Sequence, residues 1–475
     1  MNYALLLPEF LLAGLAFIVL GADLLIPSPG RKHLLAYVSV VGLVVVIAAT
    51  FSLLGQDVGL FGGLLLVDGY AVFFKFFFLV IAVFIILASV DFVKRDLRHP
   101  GEYYGLILIS TLAMMLMTSA AELITAYISL ELLSFSLYVL AAYAKDNPKS
   151  NEAGVKYILL GAFSSSLLLY GMSLIYGVTL TTSFEGIAGA IMGGTTLQPV
   201  FFLGLVLIMA GLGFKIAAVP FHMWAPDVYE GAPVPITAYL AVASKAAGFG
   251  LLMRLFASAF LPAIADWRPI IAGLSLATMT VGNLVALRQR NIKRMLAYSS
   301  IGQVGYLLMG VAALSPMAVS AILLHLAGYA ATNLAVFVCV IVVYNLTGKD
   351  DIPDYAGLSD RAPFIAFAMS IALLSLAGLP FFAGFATKFY LFTAAAKEGF
   401  LWLVAVAVIN SLISLYYYLM VMRQMYINPA ADKGRLPVPL LLNGVVGVLT
   451  VLVVVIGVYP APLLQLIEQA ANILF

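Results

Sequence analysis

Charge is scarce in this sequence. Only 10% of its 475 residues are Asp, Glu, Lys or Arg, against about 25% in an average soluble domain. That excludes an ordinary soluble enzyme. Cysteine is nearly absent, and the single Cys339 excludes a disulfide framework, a thiolate-held iron–sulfur cluster and a CxxC redox pair. No GxxxxGK[ST] phosphate loop, no GxGxxG in a strand–helix setting and no CxxCH haem attachment occurs. The chain therefore has no means of its own to carry electrons, bind a nicotinamide or hydrolyse a nucleotide. Basic and acidic residues nearly cancel, at a net charge of +2, so no nucleic acid is expected as a partner. What is abundant is apolar: 64% of the chain is hydrophobic, which excludes disorder and marks an integral membrane protein in contact with lipid.

A membrane-crossing helix needs about 20 mostly apolar residues, and about fourteen stretches qualify. They span 4–24, 33–54, 70–92, 103–119, 121–143, 152–178, 199–219, 233–259, 269–288, 292–313, 317–346, 363–395, 401–425 and 439–460. The first has no basic flank and too long an apolar run for a cleaved signal peptide. Continuous apolar runs, rather than alternating ten-residue strands, exclude a barrel. The expected fold is all-α and membrane-integral.

Loop charge sets the orientation. With the N-terminus outside, the inward loops collect Arg31, Lys32, Lys94, Arg95, Arg98, Lys145 and Lys149. They also collect Arg288, Arg290, Lys293, Arg294, Lys349, Arg361, Arg423, Lys433 and Arg435. The outward loops hold only Arg268 and Lys397, against acidic residues such as Asp57, Asp68, Glu122, Glu185, Asp266, Glu398 and Glu468. Basic residues stay on the cytoplasmic side, so both termini are expected outside.

Six basic residues remain inside the expected helices: Lys75, Lys156, Lys215, Lys245, Arg254 and Lys388. A charge at the bilayer centre costs about 2.5–3.5 kcal/mol on insertion scales. Lys75 and Arg254 lie near helix ends, and the plain expectation for them is that the charged head reaches the interface. Lys156, near an inward end, is open to either reading. Lys215, Lys245 and Lys388 sit among apolar or small residues well inside their segments, and a functional role facing the bundle is expected. Glu131 lies halfway along 121–143. It is either a structural hydrogen-bonding group or, with buried lysines at hand, a proton-handling one; alone in lipid it would take up a proton.

Two helices are expected to break. Gly211, Gly213, Pro220 and Pro226 surround Lys215 in GLGFKIAAVPFHMWAPDVYEGAPVP, and Gly378, Pro380 and Gly384 precede Lys388 in GLPFFAGFATK. Proline removes a donor and clashes with the preceding turn. Broken backbone at membrane depth is tolerated only inside protein or beside a hydrated cavity. Each break belongs to one of two weakly similar units, 103–259 and 260–425, each of about five helices. A three-helix segment (1–102) precedes them, and a helix with a short tail (426–475) follows. An odd number of crossings per unit makes consecutive units inverted, as in transporters. Polar stripes at helical spacing lie between the breaks: His325, Tyr329 and Asn333 on one helix, Ser299, Gln303 and Tyr306 on the one before. Interhelical hydrogen bonding alone would account for Ser299 and Gln303, whereas His325 suits proton relay. His222, at the first break, reads as a polar gate or hydrogen-bond partner rather than a metal ligand.

PFHMWAPDVYEGAPVPITAYLAVASK, NIKRMLAYSSIGQVGY and GLPFFAGFATKFYLF together resemble the antiporter-like membrane subunits of bacterial NADH–quinone oxidoreductase (respiratory complex I), the N type among them. The resemblance covers essentially the whole chain. It implies that Glu131 and Lys215 form a charge-exchanging pair, that Lys245 is a bridging lysine and that Lys388 faces the outer half-channel, with Lys156 at another recurrent position. It further implies a bacterial inner-membrane location and partners among neighbouring antiporter-like subunits and membrane lipids. Quinone, NADH, FMN and iron–sulfur clusters are implied in other subunits, with no cofactor and no metal in this one. Quinone reduction elsewhere would drive a proton from Lys215 through Lys245 and the His325 stripe to Lys388. A subunit of a multisubunit cation/proton antiporter is the alternative, and a scaffold with vestigial lysines a third reading. The fifteen residues after 460 leave no room for a long lateral helix.

Overall fold

The computed structural model describes residues 3–26, 32–194, 199–430 and 434–474. Arg31 and Lys433, counted above among the inward charges, lie outside these residues. Among the described residues, thirteen helices are long and apolar enough to cross a membrane. The remaining expected crossing, 363–395, is divided in two, and counting it once completes the fourteen.

The helices in chain order are α1 (Leu7–Leu25), α2 (Leu34–Thr50), α3 (Gly69–Asp96), α4 (Pro100–Ser119), α5 (Leu123–Ala141), α6 (Pro148–Thr179), α7 (Phe184–Met192) and α8 (Pro199–Ile216). Then come α9 (Trp224–Gly231), α10 (Val234–Tyr239), a π-helical turn at Leu240–Ser244, α11 (Lys245–Ser258), α12 (Ile264–Ala286), α13 (Ile292–Ala312) and α14 (Pro316–Thr347). The chain closes with α15 (Leu358–Arg361), α16 (Pro363–Ala377), α17 (Ala383–Lys397), α18 (Leu401–Tyr426), α19 (Leu440–Val458) and α20 (Ala461–Ala471). Their starts carry helix-initiating chemistry. Pro stands in the first turn of α4, α6, α14 and α16, where its missing N–H costs nothing. The side chains of Asp68, Asn147, Asn291 and Ser315 accept from free backbone N–H groups at the next helix.

Burial divides the helices by role. The α10–α11 rod, α13 and α14 are almost wholly buried and form the centre of the bundle. α2, α6, α18 and α19 expose large apolar side chains such as Val41, Phe163, Leu412 and Val451, as a lipid- or neighbour-facing periphery must.

Contacts sort the loops onto two ends of the bundle. On one, Lys149 pairs with Glu230, Lys293 with Asp350, Arg98 with Asp146, and Arg95 reaches the Asn345 carbonyl. On the other, Leu65 bridges Ala120, Glu122 bridges Ser183 and Asp68 pairs with Arg254. This is the alternation that fourteen crossings require, with the basic-rich loops on the first end.

Five elements named here escaped the sequence reading: a hairpin pairing β1 (Val58–Leu60) with β2 (Leu65–Val67), the short helices α7, α9 and α15, and α20 beyond residue 460. Each is too short to span, so hydropathy does not register it.

Candidate functional site

Both expected breaks are present, and each holds one non-glycine residue in the left-handed region, Ala217 at φ +60° and Phe381 at φ +73°. Such conformations persist only where the surroundings impose them. α8 ends at Ile216, one residue beyond Lys215, and the chain resumes as α9 at Trp224. α16 ends in a left-handed Gly378, whose N–H donates to the carbonyls of Leu374 and Ser375. α17 begins where Gly384 donates to the Ser375 hydroxyl at 2.9 Å. A Cβ on Gly384 would lie 1.7 Å from the Ser375 carbonyl oxygen, so only glycine allows this approach.

The breaks use their freed carbonyls differently. At the second, Lys388 donates to Leu376 O at 2.8 Å and to the Ser411 hydroxyl at 3.0 Å, with Ala377 O at 3.4 Å. Its ammonium also lies 4.9 Å above the Tyr306 ring. At the first, the Phe214 carbonyl accepts from the Trp224 indole at 2.9 Å, and Lys215 turns instead to the Ser134 hydroxyl on α5 at 3.1 Å.

Lys215, Lys245 and Lys388 are only 3%, 2% and 4% exposed, and among the described residues none has an ion-pair partner. Lys245 follows the π-helical turn directly and donates to Ser300 on α13 at 2.6 Å, with the Tyr229 ring 5.6 Å away. The other buried cations are different. Lys75 meets Glu9 at 2.7 Å, Arg254 grips Asp68 through two bonds of 2.7 and 2.8 Å, and Lys293 meets Asp350 at 2.8 Å.

These pairs correct the sequence reading of Lys75 and Arg254. Neither reaches an interface: Lys75 is fully buried and Arg254 is 1% exposed. Arg254 also donates to Thr118 O at 2.8 Å and lies over the Tyr70 ring. Asp68, at the start of α3, is raised by burial but lowered further by Arg254, and ends below its ordinary 3.8. Lys156 is the reverse case, half-exposed and held by Glu152 and Asp227 at 2.7 Å each.

Glu131 and Lys215 are near but not in contact. Glu131 is half-buried and accepts from Ser165 on α6, while Lys215 takes Ser134, three residues further along α5. His222 is buried in the first break, and its Nδ1 has no hydrogen-bond partner among the described residues.

The polar stripes lie among the elements that carry Lys245 and Lys388. The stem of Lys215 packs beside Gly248 on α11. Tyr329 donates to the Ala241 carbonyl in the π turn at 3.2 Å and accepts from Asn333 at 2.9 Å. His325 Nδ1 lies 3.0 Å from the hydroxyl of Thr387, the neighbour of Lys388. A cavity of about 10 Å³ is lined by Lys388, His325 and Gln303 among others. It is the size of one water, and two buried atoms without hydrogen-bond partners among the described residues belong to its walls' side chains, His325 Nε2 and Gln303 Oε1. Ser299 contacts Tyr418 on α18, and Gln303 donates to Leu376 O at 3.3 Å. No group of three or more His, Cys, Asp or Glu among the described residues is placed to hold a metal.

Comparison with known proteins places this arrangement. The family model for the NADH:quinone oxidoreductase/Mrp antiporter transmembrane region matches residues 120–414. NADH-quinone oxidoreductase subunit N of Heliobacterium modesticaldum is 44% identical over the whole of both chains. Its namesake in Trichlorobacter lovleyi is 43% identical over all of this chain and 98% of that one. Among solved structures, a chain of respiratory complex I from Thermus thermophilus superposes with a TM-score of 0.81 at 29% identity, covering 96% of this chain and 98% of its own. A chain of the Mrp complex from Dietzia shares the fold, with a TM-score of 0.86 at 21% identity over 100% and 98% of the two chains.

Proposed function

The chain belongs to the NADH:quinone oxidoreductase/Mrp antiporter membrane family, among the N subunits of NADH-quinone oxidoreductase, and from that premise we propose that it moves protons across a bacterial inner membrane. The energy comes from quinone reduction in neighbouring subunits, which hold the NADH, FMN and iron–sulfur chemistry. Both termini lie on the outer side. Residues 103–259 and 260–425 act as two inverted units; α6 and α14, each of 32 residues and each starting at proline, are one counterpart pair, and the two breaks are another.

The observation that carries this reading is the division among the buried cations. Lys75, Arg254 and Lys293 each face a carboxylate. Lys215, Lys245 and Lys388 face only hydroxyls, carbonyls and rings. A lysine without a counter-charge in a low-dielectric site gives up its proton more easily, and a group whose proton affinity lies near the working pH suits transfer. Glu131, one step away through Ser134 and Ser165, adjusts that affinity for Lys215 as it approaches or withdraws. The proton passes from Lys215 to Lys245, then by Tyr329 and His325 to the cavity beside Lys388.

The test is Lys245→Gln in the assembled complex reconstituted into liposomes. Proton uptake per quinone reduced should collapse at equal complex content. Uptake equal to wild type would remove the central lysine from the path and this reading with it. The 44% identity to N subunits along the full chain favours this assignment over a cation/proton antiporter subunit.

A further inference from the structure

α9 has eight residues and follows the first break, yet it is fastened at both ends. At its start, Trp224 stacks on Tyr157 of α6 with ring centres 4.5 Å apart and bonds back to Phe214 of α8. At its end, two carboxylates meet cations from two different helices. Asp227 takes Lys156 of α6 through one oxygen and Arg294 of α13 through the other, at 2.7 Å each. Glu230 takes Lys149 of α6 at 3.0 Å and Arg294 at 3.1 Å, and its carbonyl accepts from Lys293. Beside it Gly231 lies so close to α6 that a Cβ would stand 2.3 Å from the Lys149 carbonyl oxygen.

α9 and α13 carry the two sides of a contact deeper in the membrane. From α9 the chain continues through Pro233, α10 and the π turn to Lys245. On α13, Ser300 lies six residues beyond Arg294, about 9 Å along the axis. The two rods therefore touch twice, through Asp227 and Glu230 on Arg294 at the surface, and through Lys245 on Ser300 in the interior. Of the four cations around α9, Arg294 alone reaches both carboxylates, and it does so from a single guanidinium nitrogen.

We propose that Asp227 is a positioning residue: by clamping the half-helix after the first break to α13, it sets the distance across which Lys245 meets Ser300. This rests on the proton-transfer reading above. The clamp belongs to the coupling between the two units rather than to either proton path, and Lys149 at its exposed rim is a minor member.

The experiment compares Asp227→Asn, Lys149→Gln and Arg294→Gln in the assembled complex, with Lys245→Gln alongside. The readout is protons translocated per quinone reduced, at low and high salt. Network substitutions of this kind change coupling by about two- to thirtyfold, and that loss is expected for Asp227→Asn, with Lys149→Gln staying within about twofold. The half-exposed clamp should make the wild-type ratio fall at high salt while Asp227→Asn no longer responds. A wild-type ratio in assembled Asp227→Asn overturns the proposal. If that variant does not assemble, Arg294→Gln decides: a lowered ratio supports the clamp and an unchanged one overturns it. A normal ratio in Lys245→Gln would instead remove the underlying reading, so the two failures are distinguishable.

Discussion

Lys215 donates its hydrogen bond to the hydroxyl of Ser134 at 3.1 Å and not to Glu131, although both acceptors stand on α5 within one turn. Glu131 is meanwhile held by Ser165 of α6. The acid and the base of this site are thus kept apart by two serines, each occupied on one side. A direct ion pair would fix the lysine in its charged form. In the proposed proton path the separated carboxylate would act on the lysine through space, and a small shift of α5 against α6 or α8 would change the lysine's proton affinity.

Glu131→Ala should therefore leave assembly intact, since Glu131 closes no buried ion pair, and should strongly lower proton translocation by removing the through-space charge. Glu131→Asp should be milder, as the charge remains with a shorter reach. Translocation by Glu131→Ala equal to wild type, in liposomes at matched complex content, would count against any role for this carboxylate.

Lys388→Arg tests whether Lys388 must titrate. Its ammonium sits among Leu376 O, Ser411 and the Tyr306 ring, a cage that a second cation of the same charge would satisfy in part. Arg keeps the charge but releases no proton at accessible pH. If release matters, Lys388→Arg should be as defective as Lys388→Ala in proton uptake; if Lys388 only balances the freed carbonyls of the break, Arg should restore uptake.

Much of this was legible in the sequence, and the limits have a physical cause. Crossings follow from apolar length, and the two breaks follow from Pro220 and Pro380 because proline's lost donor is a local property. The partners of Lys75 and Arg254 were not legible. Asp68 and Arg254 stand 186 residues apart, and only packing brings them together. Distance from a helix end was a poor guide for the same reason: the helix ends near Lys75 and Arg254 fall within a residue of those expected, but Glu9 and Asp68 meet the two cations inside the protein. The gap between Glu131 and Lys215 depends on rotamers and helix registration, and the π turn before Lys245 has no composition of its own.

The Asp68–Arg254 pair should make stability depend on pH in a defined direction. Asp68 titrates below its ordinary 3.8 in the folded protein, so its contribution is present in full above that value and is lost as pH falls through the lower folded value. The difference in thermal inactivation between wild type and Arg254→Gln should then be largest at neutral pH and shrink as the pH falls below about 3.8. A difference that stays constant between neutral and acid conditions would separate the stabilising effect from the charge on Asp68.

The four intramembrane variants Lys75→Gln, Arg254→Gln, Lys215→Gln and Lys245→Gln should fall into two classes that differ in kind. The first two each strand a buried carboxylate, Glu9 or Asp68, and breaking a buried pair from one side costs about 3–5 kcal/mol. Their defect should appear as reduced assembly or a lowered inactivation temperature, with a normal proton yield from whatever complex does assemble. Lys215 and Lys245 leave behind only a serine hydroxyl, which Gln still satisfies, so those variants should assemble normally and lose proton translocation. Assembled complex measured by immunoblot, set against proton uptake per quinone reduced, separates the two outcomes. If Lys215→Gln and Lys245→Gln lose assembly while keeping proton yield, the unpaired lysines are structural cations and the path lies among other groups.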